Sequence, residues 1–319
     1  MNITKKYLVP FICISILLTV GFNLNKITNS LANFLDSTPR IVIDRGNEYT
    51  KDHDFLFVKT SEDYIPYRYN DLIDIIYSAL NNGWETFTFY CPKEYIDCLS
   101  DLRIITSDSI LLTHINNYVH PYNSINGLDI ITNETGEVTL KPKFVYTNKQ
   151  INKINTEIDS ILTKIIEVDM EIEDKIMVIH DFIVNNVKYD IERNEKGTSP
   201  YKSNIAYGPL FEGYATCDGY ADIMAIFLNK LELKNYRIAT IKDTDIAGHV
   251  WNAVLLNNSW LHLDLTWNDP ISSSGEDILR HKYFLITDEE LIIADSGEVE
   301  VTEHEYDISY YLEFKKAVN

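Results

Sequence analysis

The stretch Gly213-Tyr214-Ala215-Thr216-Cys217-Asp218-Gly219-Tyr220-Ala221 sets the tightest limits on the fold. Directly after it, Tyr220, Ile223, Met224, Phe227, Leu228 and Leu231 recur every three or four residues, the spacing of one face of an amphipathic helix. Such a helix starts near Cys217 and must bury that face against another layer. Cys217 then sits in the first turn, where unpaired N–H groups and the positive end of the helix dipole favour an anion. A thiolate is such an anion and the nucleophilic form of cysteine, so this position predicts a depressed thiol pKa. Gly213 and Gly219 let the backbone approach a substrate and a neighbouring strand closely. Taken alone, Cys217 also fits an inert core residue, because free cysteine is among the most buried residue types. Two later segments turn the reading toward chemistry.

Gly248-His249-Val250-Trp251-Asn252-Ala253-Val254-Leu255-Leu256 has the composition of a strand, Asn257-Asn258 that of a turn, and residues 260–267 that of the return strand. A two-residue turn at 257–258 places Asp264 opposite Trp251 and His249 opposite Thr266. His249 and Asp264 then lie on one face as diagonal neighbours, with Cβ atoms roughly 7 Å apart, within reach of a hydrogen bond. A three-residue turn without a bulge would separate them. Cys217, His249 and Asp264 thus form a candidate triad: nucleophile, base, and the carboxylate that fixes the imidazole tautomer.

The 319 residues include 45% hydrophobic side chains, 12 glycines and 9 prolines, a globular composition sufficient for two modest domains. A net charge of -20 disfavours nucleic acid and basic-patch adhesion to anionic lipid. Lys5 and Lys6 precede an uncharged run over 7–25, the pattern of an export signal, with a retained membrane anchor as the alternative. The globular part is therefore expected outside the cytoplasm. Of the four cysteines, Cys13 lies in that run. Cys91 and Cys98 read as two small apolar side chains, with a disulfide as the alternative. Cys217 is the thiol left over.

The chain divides into an export segment (1–32), an α+β region (33–147) and a candidate catalytic domain (148–319). In the middle region, 41–43, 55–58 and 84–90 read as strands, 69–80 and 111–119 as helices, and 128–146 as a hairpin about Asn133-Glu134-Thr135-Gly136. His114 and His120 lack a partner at metal-ligand spacing and read as surface histidines. Two helices follow over 148–187, parted near 170–174, with His180 structural in the second. Residues 189–207 read as a loop.

Gly213 with Cys217-Asp218-Gly219-Tyr220-Ala221, then Gly248-His249-Val250-Trp251-Asn252, then Leu263-Asp264-Leu265-Thr266-Trp267, together resemble the bacterial transglutaminase-like superfamily, papain-like cysteine acyl transferases and peptidases. Asp181-Phe182-Ile183-Val184-Asn185-Asn186-Val187-Lys188-Tyr189 is similar to the helix before that family's catalytic loop, and Tyr283-Phe284 with Thr287-Asp288 to a later segment. The resemblance covers about 170–292. It implies an α+β fold with the cysteine helix on an antiparallel sheet, and Cys217, His249 and Asp264 in the roles above. Calcium-dependent animal transglutaminases resemble the chain only around the triad, and steady the oxyanion with an upstream tryptophan. Here no tryptophan lies between Trp84 and Trp251. Tyr207 and Tyr214, with the Cys217 N–H, become the oxyanion candidates, and Trp251 a substrate-contact candidate. Asp243-Thr244-Asp245 is too short for a calcium loop and reads as a solvated turn. No metal or cofactor is called for. The expected function is an exported cysteine enzyme acting on amide bonds of protein or cell-wall (peptidoglycan) peptide. A non-catalytic binding module at the cell surface, or an interaction protein working through residues 33–145, is the alternative.

Overall fold

Asparagine stands in a hairpin turn of each four-stranded sheet, Asn133 in the first and Asn257-Asn258 in the second. The computed structural model describes residues 41–240, 248–270, 278–296 and 303–318. The expected export segment and the Asp243-Thr244-Asp245 turn lie outside them. Among the described residues no helix is long and apolar enough to cross a membrane.

The first half holds β1 (Val42–Asp44), α1 (Tyr69–Asn81), β2 (Thr86–Tyr90), α2 (Cys98–Ser107), α3 (Ser109–Asn117), β3 (Ile125–Thr132) and β4 (Glu137–Phe144). Its antiparallel sheet runs β1-β2-β4-β3. Gly83 ends α1 at φ 61°, a left-handed conformation that glycine adopts at no steric cost. Residues 55–58, expected as a strand, form a turn closed by the Phe55 N–H on the Val58 carbonyl at 3.0 Å, with both side chains buried. Helix α2 was not marked by the sequence. Cys91 and Cys98 are joined by a disulfide that ties the end of β2 to the start of α2, which corrects the reading of two unbonded side chains. His114 and His120 are buried rather than on the surface. The Tyr311 hydroxyl lies 2.8 Å from His114 Nδ1, and the Tyr122 N–H donates to His120 Nδ1 at 3.1 Å.

The second half holds α4 (Asn148–Ile165), α5 (Ile172–Asn186), β5 (Lys188–Tyr189), α6 (Ile191–Lys196), α7 (Tyr207–Phe211), β6 (Tyr214–Ala215), α8 (Cys217–Lys230), β7 (Asn235–Ala239), β8 (Val250–Leu256), β9 (Ser259–Leu263), α9 (Leu265–Asn268), β10 (Phe284–Ile286) and α10 (Asp288–Asp295). The loop expected over 189–207 is thus interrupted by α6. The second sheet runs β10-β9-β8-β7, all antiparallel. Alternation along its strands gives it two apolar faces. On one, Tyr220, Ile223, Met224, Phe227 and Leu228 of α8 pack with Val254, Leu256 and Leu263. At about 2 kcal/mol per buried apolar side chain, those five helix residues contribute on the order of 10 kcal/mol before chain entropy is set against them. On the other, Tyr236, Ile238, Trp251 and Ala253 share a cluster with Leu72, Phe87, Leu111 and Tyr118 of the first half. The architecture is α+β, with the cysteine helix packed on an antiparallel sheet.

Candidate active site

The three residues of the expected triad lie on three chain segments. Thr216 is extended, and its N–H donates to the Ser203 carbonyl at 2.8 Å, so Cys217 becomes the first helical residue of α8. Gly219 makes this docking feasible: a Cβ there would sit 2.0 Å from the Ser203 carbonyl oxygen. Cys217 is unbonded and half-buried. The N–H groups of Val250 and Asp218 stabilise its sulfur as a thiolate, but burial first, and then the charge of Asp218, push the thiol well up. That overturns the expected depressed pKa. Desolvation and the neighbouring carboxylates raise the thiol by more than the two N–H groups lower it.

The expected base, His249, directly precedes the first strand of the hairpin. Asn257 and Asn258 both have positive φ, 49° and 65°, as a two-residue type I′ turn requires. Asn252 consequently pairs with Leu263, the register expected from the sequence. The return strand stops at Leu263 instead of continuing to 267. Asp264 caps α9, its Oδ1 accepting from the N–H groups of Thr266 at 2.8 Å and Trp267 at 3.2 Å. Thr266 therefore leaves the ladder, while the His249–Asp264 contact survives: Nε2 of His249 lies 2.5 Å from Asp264 Oδ2. The carboxylate only accepts, so Nε2 donates to it, and Nδ1 is the ring nitrogen turned away from Asp264. The His249 backbone is held on both sides by Thr240, through its N–H on Oγ1 at 2.7 Å and its carbonyl on the Thr240 N–H at 2.9 Å. Burial alone would raise Asp264, yet the charge and hydrogen bond of His249 and the hydrogen bond of His304 hold it well below the usual carboxylate range.

His304 was missed by sequence reasoning. Its Nε2 lies 2.9 Å from Asp264 Oδ2 and its Nδ1 2.9 Å from Asp295 Oδ1. Its only sequence signal is a histidine in an acidic stretch forty residues beyond Asp264, which points to no partner.

The other candidates are placed less favourably. Trp251 is buried and its Nε1–H donates to His262 Nδ1 at 3.0 Å, so it supports the sheet and is not open to substrate. Tyr207 accepts from Lys153 Nζ at 3.0 Å, and Tyr214 stacks on Tyr201 with ring centroids 4.1 Å apart. A cleft of about 370 Å³ reaches His249. Among the described residues it is lined by Tyr189, Trp267, Arg280 and others, but not by Tyr207 or Tyr214. Tyr189 lines this cleft, and burial first, then any thiolate charge formed at Cys217, pushes its hydroxyl up. It lies at the end of the stretch that resembles the family's pre-catalytic helix.

Among the described residues two clusters bring three metal-type donors within 4.8 Å of one another: His180, Asp181 and His281, and His249, Asp264 and His304. Their hydrogen bonds place protons where an ion needs lone pairs. Asn268 Oδ1 accepts from the Tyr283 N–H at 3.0 Å, which turns its Nδ2 to donate to His180 Nε2 at 3.1 Å. His180 Nδ1 must then donate to Asp181, at 2.8 Å. His180 is structural, as its place in a helix suggested. In the second cluster both nitrogens of His304 face carboxylates.

Residues 159–265 match the family model described as the transglutaminase-like superfamily. No curated protein matches the chain. Among solved structures the chain is similar to a TGase crystal structure, at 16% identity and a TM-score of 0.31, covering 50% of this chain and 49% of that one. It is also similar to a "putative cysteine protease" from Cytophaga hutchinsonii, at 12% identity and a TM-score of 0.28, covering 48% of this chain and 64% of that one. The segment 159–265, which contains Cys217, His249 and Asp264, belongs to the transglutaminase-like superfamily.

Proposed function

We propose that this chain is an exported cysteine enzyme that cleaves or transfers amide bonds of protein or cell-wall peptide through a thioester at Cys217. The observation that carries the reading is the hydrogen bond of His249 Nε2 to Asp264 Oδ2 at 2.5 Å, next to a half-buried free thiol at a helix start whose sulfur takes the N–H of Val250, the residue after His249. In the acylation step the Cys217 proton passes to His249 Nδ1 and the sulfur adds to the amide carbonyl carbon. The C–N bond then breaks, and His249 returns the proton to the departing amine. Water or a second amine attacks the thioester, with His249 again accepting the proton, and the thiol is regenerated. The Cys217 N–H, in the first turn of its helix, and the Tyr189 hydroxyl at the cleft are the candidate donors to the oxyanion. Export is supported by Lys5 and Lys6 before the apolar run, and by a Cys91–Cys98 disulfide suited to an oxidising compartment.

The test is incubation with a panel of peptides and peptidoglycan fragments, quenched in acid and read by intact mass. An acyl adduct on Cys217, absent in Cys217→Ala and slowed in His249→Ala, is expected. Turnover that persists in Cys217→Ala would sink the proposal.

A further inference from the structure

His304 is enclosed, with its side chain 0% exposed, and is gripped at both ends by carboxylates. Carboxylate oxygens only accept, so both ring nitrogens donate and the ring carries a positive charge. Asp264 is saturated in turn: Oδ1 takes the N–H groups of Thr266 and Trp267, and Oδ2 takes His249 and His304. Trp251, Tyr283 and Trp267 surround the His304 ring at centroid distances of 5.0, 4.9 and 5.6 Å, and aromatic faces favour a cation. The titratable groups facing it are Asp264 at the start of α9, Asp295 on α10, His249 before β8, His262 on β9 and Tyr283 before β10. Burial works against the charge, but the hydrogen bonds to Asp264 and Asp295 hold His304 up at about 9.

Resting on the catalytic reading above, we infer that His304 is a positioning residue of the Cys217 site: a buried cation that shares the Asp264 carboxylate with His249 and so sets the pH range in which His249 takes the Cys217 proton. Two effects follow from the geometry. Asp264 cannot rotate, because all four of its acceptor contacts come from fixed N–H donors. The two imidazole rings lie 5.3 Å apart, so a charge on His304 opposes a second charge on His249 and eases return of the proton to the leaving group. A lone carboxylate behind His249 would hold that proton more firmly. His304 and Asp295, its outer anchor, both border a cleft of about 700 Å³, with the His304 side chain 0% exposed and that of Asp295 17%.

The test uses the full chain and the pH profile of Cys217 alkylation by iodoacetamide in wild type and His304→Gln. Removing a positive charge makes every proton at the site harder to lose. The His304→Gln profile should therefore move to higher pH by roughly one unit, which on the rising limb is about tenfold slower alkylation. A superimposable profile overturns the inference and leaves His304 merely structural. Nitrogen-15 spectra of the histidine rings provide a second measurement that does not depend on that variant folding. Wild type should show a doubly protonated ring that persists through neutral pH and loses its proton near pH 9. Asp295→Asn should move that loss to lower pH, and its staying in place would overturn the inference. Wild-type Cys217 that reacts as a free thiol, unchanged by His249→Ala, would overturn the catalytic reading instead.

Discussion

Gly219→Ala sets two opposed effects against each other. In an exposed helix interior alanine is favoured over glycine by about 1 kcal/mol. At this position the new Cβ would meet the Ser203 carbonyl oxygen at 2.0 Å, the Ser203 carbonyl carbon at 3.1 Å and the Ala215 Cβ at 3.2 Å. Ordinary contacts lie near 3.5 Å, so the Ser203 backbone must retreat by more than about 1 Å. That carbonyl accepts the Thr216 N–H at 2.8 Å, and the Ser203 hydroxyl bridges Asp190 at 2.5 Å and Arg193 Nε at 2.9 Å. Overpacking costs about 1–3 kcal/mol, and a buried donor left unpaired about as much again. The steric cost wins: a net loss of about 1–5 kcal/mol, or roughly 2–10 °C in Tm at about 2 °C per kcal/mol for a chain of this size. Thr216 also anchors the start of α8, so acylation of Cys217 at a temperature where the variant is folded should slow as well. Thermal unfolding followed by circular dichroism, paired with acylation rates, measures both. A Tm equal to or above wild type would refute the packing argument.

Three further outcomes follow from the site and its surroundings. Asp264 is depressed, so its share of stability is present above about pH 4 and lost as pH falls; His304 is raised to about 9, so its share is present below about pH 6.5 and lost as pH rises through 9. Calorimetry should show stability falling between pH 6.5 and 9 by at most about 3 kcal/mol, and an unchanged slope in His304→Gln would contradict this assignment. Asp264→Asn should unfold at markedly lower denaturant, by about 3–5 kcal/mol, since either amide orientation turns an NH₂ group onto N–H donors that the carboxylate now accepts. A variant that loses only activity would show that the four contacts do not hold Asp264. Reducing the Cys91–Cys98 bridge, whose sequence separation is 7, should cost about 2.5 kcal/mol of chain entropy, and an unfolding midpoint insensitive to reductant would argue against the bond.

What the sequence revealed and what it hid have separate physical causes. The His249–Asp264 contact was legible because strand alternation and a two-residue Asn-Asn turn leave only one register. The helix start at Cys217 was legible because apolar spacing runs directly from it. The thiol's ionisation was misjudged because the helix end is visible in a sequence, while the burial that outweighs it depends on the packed sheet. Trp251 stands next but one to His249 on the same face, and what the sequence hid is its burial in the cluster shared with the first half of the chain. The disulfide depends on the spacing of a strand end and a helix that the sequence did not mark. His304 could not be found from residue patterns, because its partners Asp264 and Asp295 come from two other segments.

The central claim is that Cys217 forms a thioester with His249 as its base. p-Nitrophenyl acetate, a generic acyl donor, tests this without knowledge of the natural substrate. Wild type should release a burst of one nitrophenolate per chain and gain an acetyl group mapped by mass to Cys217. Cys217→Ala should show neither. His249→Ala should acetylate at least about a hundredfold more slowly, the lower end of what general acid–base catalysis supplies. Acetylation of Cys217 at the same rate in wild type and His249→Ala would contradict the account.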